Sequence, residues 1–597
     1  MSTIKDRLAA LRAQLAQDRL TGFVIPLTDE HMSEYVGGYA QRLEWLTGFA
    51  GSAGSAAVLG ERAAIFTDGR YTLQVREQVP QGVYEYQDVP KTSAAEWLAA
   101  HAAKGDRIGY DPWLHSRGWV QATAHRLARR GAELVPVGAN PVDRIWADRP
   151  APSAARLEVH DVEFAGRSSA EKRADAAAWL GRHPADAVVI TALDSIAWLL
   201  NIRGRDVSHT PVALAFVVLH ADASVDLFTA PEKITPELRA HLGAQVRIHP
   251  RSAFQGALAG LRGKTVAADA ATGVAAIFAA LEAAGARIIE ARDPCVLPKA
   301  IKNPVEIAGT IAAHRRDGAA LTRFLHWFAT EAPEGRLDEL LAAERLRQFR
   351  EATNVLEDLS FDTISGYGPN GAVVHYRVSV ETNLPIKPGS LFLIDSGGQY
   401  RDGTTDVTRT LAVGTPTAEM RDRYTRVLKG HIALSRAVFP AGTRGVQLDA
   451  LARAPLWEAG LDYAHGTGHG VGSYLAVHEG PQRIAAAGSA YSGSDEPLQA
   501  GMIVSNEPGY YKAGEFGIRI ENLVLIEPRE VPGAEKPMLG LRPLTLAPLE
   551  RELIDVALLS NIERDWVDNY HNMVNISLGP QLDDEVRAWL EARTAPL

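Results

Sequence analysis

The sequence predicts a multidomain chain in which α/β units precede an α+β unit, and three observations carry the prediction. At 597 residues the chain is too long for one hydrophobic core, so about two to four domains are expected. In its first half, strand-like and helix-like runs alternate in an order that comes round a second time, which points to a duplicated α/β domain. Beyond residue 302, long helical patterns bracket two Gly-turned β segments, as a mixed α+β domain would.

In chain order, Ile4, Leu8, Leu11 and Leu15 recur at helical spacing behind Ser2-Thr3, the mark of a capped amphipathic helix. Gly22 to Pro26 reads as a buried strand, Ser55 to Leu59 and Ala63 to Thr67 as two more, and Asp68-Gly-Arg-Tyr71 as the opening of a helix. The turn Gly51-Ser-Ala-Gly54 lacks the Lys-Ser/Thr of a phosphate loop, so plain turn geometry is expected there. Pro-rich Asn140 to Pro152 marks a linker and puts a boundary near residue 158. Ala187 to Ile190, Val212 to Leu219 and Asp226 to Thr229 then repeat the earlier strands, and Ala197-Trp-Leu199 repeats Glu44-Trp-Leu46. The charged stretch Asn201 to His209 has two readings: a loop reaching a substrate in another domain, or a solvated loop with internal ion pairs. Domains of 1–158, 159–302 and 303–597 follow. In the third, helices are expected through Ile311 to Phe328, over 337–352 and over 417–438. The tail, with Trp566 and Tyr570, is expected to pack on another surface, an inter-subunit contact being one choice.

Composition narrows the function. A net charge of −10 argues against nucleic-acid binding as the main task. The single cysteine, Cys295, excludes an intramolecular disulfide framework and fits a reducing compartment as a buried or incidental thiol. The N-terminus has no apolar signal region and no uninterrupted apolar run reaches transmembrane length, so a soluble cytoplasmic protein without a membrane partner is expected.

Five residues able to ligate a metal lie between residues 391 and 522. Asp395 and Asp406 flank the turn Gly397-Gly-Gln-Tyr-Arg-Asp-Gly403 at equal distance from a point between Tyr400 and Arg401, so hairpin pairing would set them side by side. Two adjacent carboxylates repel unless a proton or cation separates them. Taken alone, such a pair is more often solvated turn chemistry. The arrangement recurs, however, with Glu507 and Glu521 about a turn centred near Gly514, where Ile518 and Ile520 share one strand face and Arg519 and Glu521 the other. Between the two hairpins lies His465-Gly-Thr-Gly-His469-Gly-Val-Gly472, a loop suited to close backbone approach to a ligand. It does not meet the dinucleotide pattern, and no phosphate-loop motif occurs in the chain. About four carboxylate charges are balanced by two divalent cations, and an oxygen-rich set with one imidazole suits Mn²⁺ or Co²⁺ better than a thiolate zinc site would.

In order and in flanking residues, these five resemble the pita-bread metallopeptidases: methionine aminopeptidase, prolidase and aminopeptidase P. The whole chain resembles the three-domain, cytosolic Xaa-Pro aminopeptidase family through W-L-T-G-F-A-G-S-A-G at 45–54, T-D-G-R-Y at 67–71, N-P-V-D-R-I-W at 140–146, I-A-W-L-L-N-I-R-G at 196–204, and L-T-L-A-P-L with D-W-V-D-N-Y-H in the tail. The resemblance implies two creatinase-like α/β domains followed by a pita-bread catalytic domain. It also implies two divalent metals, Mn²⁺ foremost with Co²⁺ or Zn²⁺ as options, on Asp395, Asp406, His469, Glu507 and Glu521. The implied reaction hydrolyses the bond between an N-terminal residue and a following proline through a metal-bridged hydroxide. Glu507 would be the base, His375, His465 and His478 would serve substrate and transition state, and Arg519 would order the carboxylates. A homodimer is implied as well. A prolidase restricted to dipeptides and a metal-free binding module of the same fold are the rival readings.

Overall fold

The first helix, Ile4–Gln17, begins where Thr3 can cap it: the Thr3 side chain accepts from Asp6 N while the Asp6 carboxylate accepts from Thr3 N, and Leu8, Leu11 and Leu15 are buried. The computed structural model describes residues 2–488 and 493–597, which form two units, Met1–Val296 and Leu297–Leu597.

The first unit contains two six-stranded mixed sheets of one topology. In spatial order the first runs Glu85–Asp88, Arg62–Thr67, Ser55–Leu59, Gly22–Pro26, Arg107–Tyr110, Glu133–Pro136. The second runs Val246–Pro250, Val225–Thr229, Phe216–His220, Ala187–Ile190, Thr265–Ala268, Arg287–Glu290. Each pairs its strands parallel, antiparallel, antiparallel, parallel, parallel in that order, which is the duplication anticipated from sequence. Phe23 and Ile25 enter one core and Val24 another, so the strand is buried on both faces and its sequence is apolar without alternation.

Three local expectations in this unit need correction or resolution. Asp68 does not open a helix; its carboxylate is taken by the Arg70 guanidinium and backbone N–H, and the helix starts later, at Gln74–Gln78. The strand expected from Val212 begins only at Phe216, because Leu214 N donates to the Asp206 carboxylate and Leu214 O accepts from Thr229 Oγ1. In the charged 201–209 stretch, Asp206 pairs with Lys233 with both buried, and Arg203 donates to the Ala197 and Ile202 carbonyls. The stretch is mostly buried and its ion pairs reach outside it, to Lys233 and Glu158, so it is not the solvated, internally paired loop of the second sequence reading.

The second unit opens with helices α1 (Pro304–Glu331) and α2 (Glu339–Glu351). Asn303 caps α1 with its side chain on Val305 N and Glu306 N, while Pro304 occupies a position whose N–H has no helical partner. Strands β1 (Ile364–Tyr367), β2 (Ser390–Ser396) and β3 (Val407–Val413) form an antiparallel sheet with β2 central. Helix α3 (Ala418–Ser435), strand β4 (Val438–Pro440) and helix α4 (Gly445–Trp457) follow. The larger sheet adds β5 (Gly468–Gly470), β6 (Glu479–Ile484), β7 (Ile503–Asn506), β10 (Asn522–Arg529) and β11 (Met538–Pro543), in the spatial order β4-β11-β10-β7-β5-β6. A separate ribbon, β8 (Gly509–Lys512) with β9 (Phe516–Arg519), lies between β7 and β10 in sequence. The tail helix α5 (Asn561–Leu578) packs on the unit's own core: Tyr570 is 3 % exposed, Trp566 stacks on it, and its hydroxyl accepts from buried Arg409. The aromatic tail therefore finds its surface within the chain.

Candidate metal centre

Strand register gathers the acidic residues. The β2/β3 ladder aligns Asp395 with Thr408, and Gln399 pairs with Thr404 farther out, so the turn centres between Arg401 and Asp402. That is one residue beyond the centre expected from sequence, and it leaves Asp406 just before β3, not directly opposite Asp395. The second hairpin keeps the expected register: Gly509 pairs with Arg519 in one ladder and Asn506 with Asn522 in the next. Glu507 and Glu521 fall at the break between these two ladders, where their backbone N–H groups are diverted to Thr467 O and Thr408 O. Ile518 and Ile520 enter the core while Arg519 and Glu521 take the other side, as their alternation predicts.

His469 sits on a short strand, where a loop was expected. Its neighbours Gly468 and Gly470 are small because adjoining backbone presses on them. A Cβ at Gly468 would lie 2.0 Å from Ser505 O on β7, and one at Gly470 would lie 2.3 Å from Glu479 O on β6. The glycines admit neighbouring strands, and that packing aims the imidazole.

Around these residues a buried cluster forms. His469 Nε2 lies 3.5 Å from both Asp406 Oδ2 and Glu507 Oε1, and one ligand atom from each of Asp406, His469 and Glu521 lies within 4.8 Å of the others. His469 Nδ1 is 3.0 Å from Gly470 O; an Nδ1–H donated there fixes the tautomer that turns an Nε2 lone pair into the cluster. Arg519 is 2 % exposed and donates from Nη2 to Asp395 Oδ2 at 2.6 Å, from Nε to Thr408 Oγ1 at 3.0 Å and from Nη1 to Tyr511 OH at 2.7 Å. Thr408 Oγ1 donates in turn to Glu521 Oε2 at 2.7 Å, and Ser505 Oγ to Glu507 Oε1 at 3.1 Å. Thr408, Ser505 and Tyr511 escaped the sequence reading. The alternating threonines after Asp406 were the one visible signal for the first of them.

The histidines stand around this cluster. His478 packs edge to face on His469 with ring centroids 4.4 Å apart, and His465 Nε2 lies 2.9 Å from Tyr511 OH. His375 follows Val374, whose carbonyl accepts from Arg519 Nη1 at 3.3 Å.

The electrostatics call for cations. Burial first, and neighbouring carboxylates after it, push Asp406 and Glu521 well above the usual carboxylate range. Glu507 is also raised by burial, although His469 and Arg519 oppose the shift. Burial works against the Arg519 charge, but Tyr511, Asp395, Glu507 and Glu521 together outweigh it and hold the guanidinium above its ordinary value. Asp395 Oδ1, Asp406 Oδ1 and Glu521 Oε1 are buried without a hydrogen-bond partner among the described residues. Such oxygens are costly unless something else binds them. Four carboxylates against one guanidinium leave about three negative charges, which one divalent cation does not neutralise and two do. The donor set therefore fits a pair of hard or borderline cations.

Comparison with known proteins agrees with this geometry. The metallopeptidase family M24 model matches residues 309–528, and its C-terminal region matches 537–597. Two models for the creatinase/prolidase N-terminal domain match 7–145 and 148–306. A probable Xaa-Pro aminopeptidase P of Aspergillus fumigatus is 42% identical over 99% of this chain and 92% of its own length. The chain belongs to metallopeptidase family M24, among the Xaa-Pro aminopeptidase P proteins. The X-prolyl aminopeptidase of Caenorhabditis elegans, described as a cytosolic enzyme with a di-nuclear active site, superposes with a TM-score of 0.95 at 33% identity, covering 100% of both chains. An Xaa-Pro dipeptidase from Bacillus anthracis, at 24% identity and a TM-score of 0.52, covers 64% of this chain and shares the fold. The fold class read from sequence, two creatinase-type domains before an M24 catalytic domain, is borne out.

Proposed function

We propose that this chain is a metal-dependent aminopeptidase that removes an N-terminal residue standing before proline, with two divalent cations on Asp395, Asp406, His469, Glu507 and Glu521. One observation supports the reading: Asp406, His469, Glu507 and Glu521 stand together, Asp395 is held beside them by Arg519, and Asp395 Oδ1, Asp406 Oδ1 and Glu521 Oε1 are buried without a hydrogen-bond partner among the described residues. When bound, a pair of such cations lowers the pKa of water and polarises a peptide carbonyl.

The chain's own groups do the rest. Glu507 keeps 17 % of its side chain exposed while Asp406 keeps 5 %, so Glu507 is the more accessible of the two to an attacking water. It takes that water's proton and delivers it to the departing proline nitrogen. His375 and His478 donate to the developing oxyanion and, with His465, shape the proline pocket; both ring nitrogens of His465 are engaged, by Gly466 O and Tyr511 OH, so it serves by holding Tyr511 against Arg519. Arg519 neutralises part of the carboxylate charge and fixes Asp395 and, through Thr408, Glu521. Mn²⁺ suits this oxygen-rich set best, with Co²⁺ or Zn²⁺ as substitutes. A cytoplasmic setting and peptides with proline second are supported by the relatives, the Caenorhabditis elegans enzyme being described as cytosolic.

One assay tests the reading. An Xaa-Pro-Xaa peptide and an Xaa-Pro dipeptide are offered in parallel to the Mn²⁺-loaded, chelated and Glu507→Gln proteins. The tripeptide should be cut, chelation should abolish turnover, and Glu507→Gln should lower kcat about a hundredfold or more. Turnover of the dipeptide alone would make the protein a prolidase, and undiminished activity after chelation would remove the metals from the reaction.

A further inference from the structure

Glu339 is the first residue of α2, lies far in sequence from every ligand, and is completely buried. A buried carboxylate is expensive unless donors surround it. Here its oxygens accept from Tyr367 N at 2.7 Å, Leu384 N at 3.0 Å, Asn370 Nδ2 at 3.1 and 3.0 Å and Tyr376 OH at 2.9 Å. All four donors belong to the single segment 367–384. Its two ends and two interior points are thus tied to one carboxylate, while its tip stays in solvent, with Val380 82 % exposed.

His375 lies inside this segment between two tethered neighbours. On one side, Val374 O accepts from Arg519 Nη1, and the same guanidinium holds Asp395 at 2.6 Å. On the other, the Tyr376 hydroxyl is bound to Glu339. The backbone at His375 is therefore strung between the metal centre and α2. We infer that Glu339 is the positioning residue for His375, holding the 367–384 segment so that the imidazole meets the substrate beside the metal centre. The inference rests on the reading of His375 as a substrate-facing group. Glu339 touches neither substrate nor metal and acts only through the segment it gathers. Glu339→Gln keeps the shape but turns an N–H pair toward a set of donors, and Tyr376→Phe cuts one tether while leaving the other three.

A mutant cycle tests this on the Mn²⁺-loaded, full-length protein with an Xaa-Pro-Xaa peptide. Glu339→Gln, Tyr376→Phe and His375→Ala are made singly, and the first two also in the His375→Ala background. kcat, KM, bound metal per chain and Tm are read for each. His375→Ala and Glu339→Gln should each lower kcat about tenfold or more, and Tyr376→Phe several-fold, with metal content unchanged. In the His375→Ala background neither second change should cost more than about twofold, because the group they position is gone. Losses that multiply, or that follow Tm and persist without His375, would overturn the inference. If Glu339→Gln does not fold, the Tyr376→Phe cycle decides on the same criteria. Should His375→Ala itself leave kcat intact, the reading of His375 falls and this inference with it. Should His375→Ala slow the enzyme while Tyr376→Phe and Glu339→Gln do not, the positioning role alone falls.

Discussion

At the scale of single residues, the decisive feature is charge confined where water cannot reach it. Asp406 is 3 % exposed and Glu521 1 %, and both are held above the usual carboxylate range, by burial first and by their acidic neighbours second. The sign of the pH dependence follows. In metal-free protein these groups keep protons in the folded state that the unfolded chain has already lost, so the cluster's contribution to stability is best at low pH and declines as pH rises. Cations take the place of those protons, so loading releases protons and tightens with increasing pH. Titration calorimetry of Mn²⁺ into chelated protein, in two buffers of different ionisation heat, should show net proton release. The Mn²⁺-induced rise in Tm should be larger at about pH 8 than at about pH 6. Proton uptake, or a larger rise at the lower pH, would contradict the assignment of these carboxylates as ligands.

At the scale of elements, the site is a product of strand register. Glu507 and Glu521 face each other because two successive ladders share one register across the break between them. His469 is aimed by a strand that fits only because Gly468 and Gly470 carry no side chain. Gly468→Ala should therefore destabilise the fold by about 1–3 kcal/mol and weaken Mn²⁺ binding together with it, since β5 must move off β7 to admit the methyl group. Denaturant unfolding and metal titration of that variant check this; unchanged values for both would mean the glycine is incidental. Much of this level was legible in the sequence. Turn glycines, alternating apolar residues and the spacing of acids gave the second hairpin its correct centre, and Thr3 marked the first cap. The first hairpin's centre lies one residue beyond the point that equal spacing of the aspartates indicates, because Asp395 pairs with Thr408 and not with Asp406. The late start of the helix after Asp68, and of the strand before Phe216, was hidden for a shared reason. In each case an acidic side chain captures a backbone N–H farther along the chain, Asp68 that of Arg70 and Asp206 that of Leu214, and this local bond competes with regular structure in a way that apolar patterning does not display. Thr408, Ser505 and Tyr511 were missed because their roles arise from neighbours distant in sequence.

At the scale of the whole molecule, each unit has its own cores, and the duplicated sheets of the first unit share one strand order and one pattern of directions. In the second, Arg409 donates to Pro548 O, Ala547 O and Tyr570 OH and also to Glu521 O, so the tail is fastened to the backbone that carries a proposed metal ligand. Because Trp566 and Tyr570 are spent on that internal contact, the homodimer that the family resemblance implies would need another face of the second unit, and Trp457 at the end of α4 is 48 % exposed. Sedimentation at working concentrations should show a dimer; a species of monomer mass throughout would contradict it. The central claim concerns the cluster itself, and anomalous diffraction from crystals soaked in Mn²⁺ tests it most directly. The account predicts two strong peaks among Asp395, Asp406, His469, Glu507 and Glu521. A pocket with no peak, or peaks lying elsewhere in the chain, would contradict it.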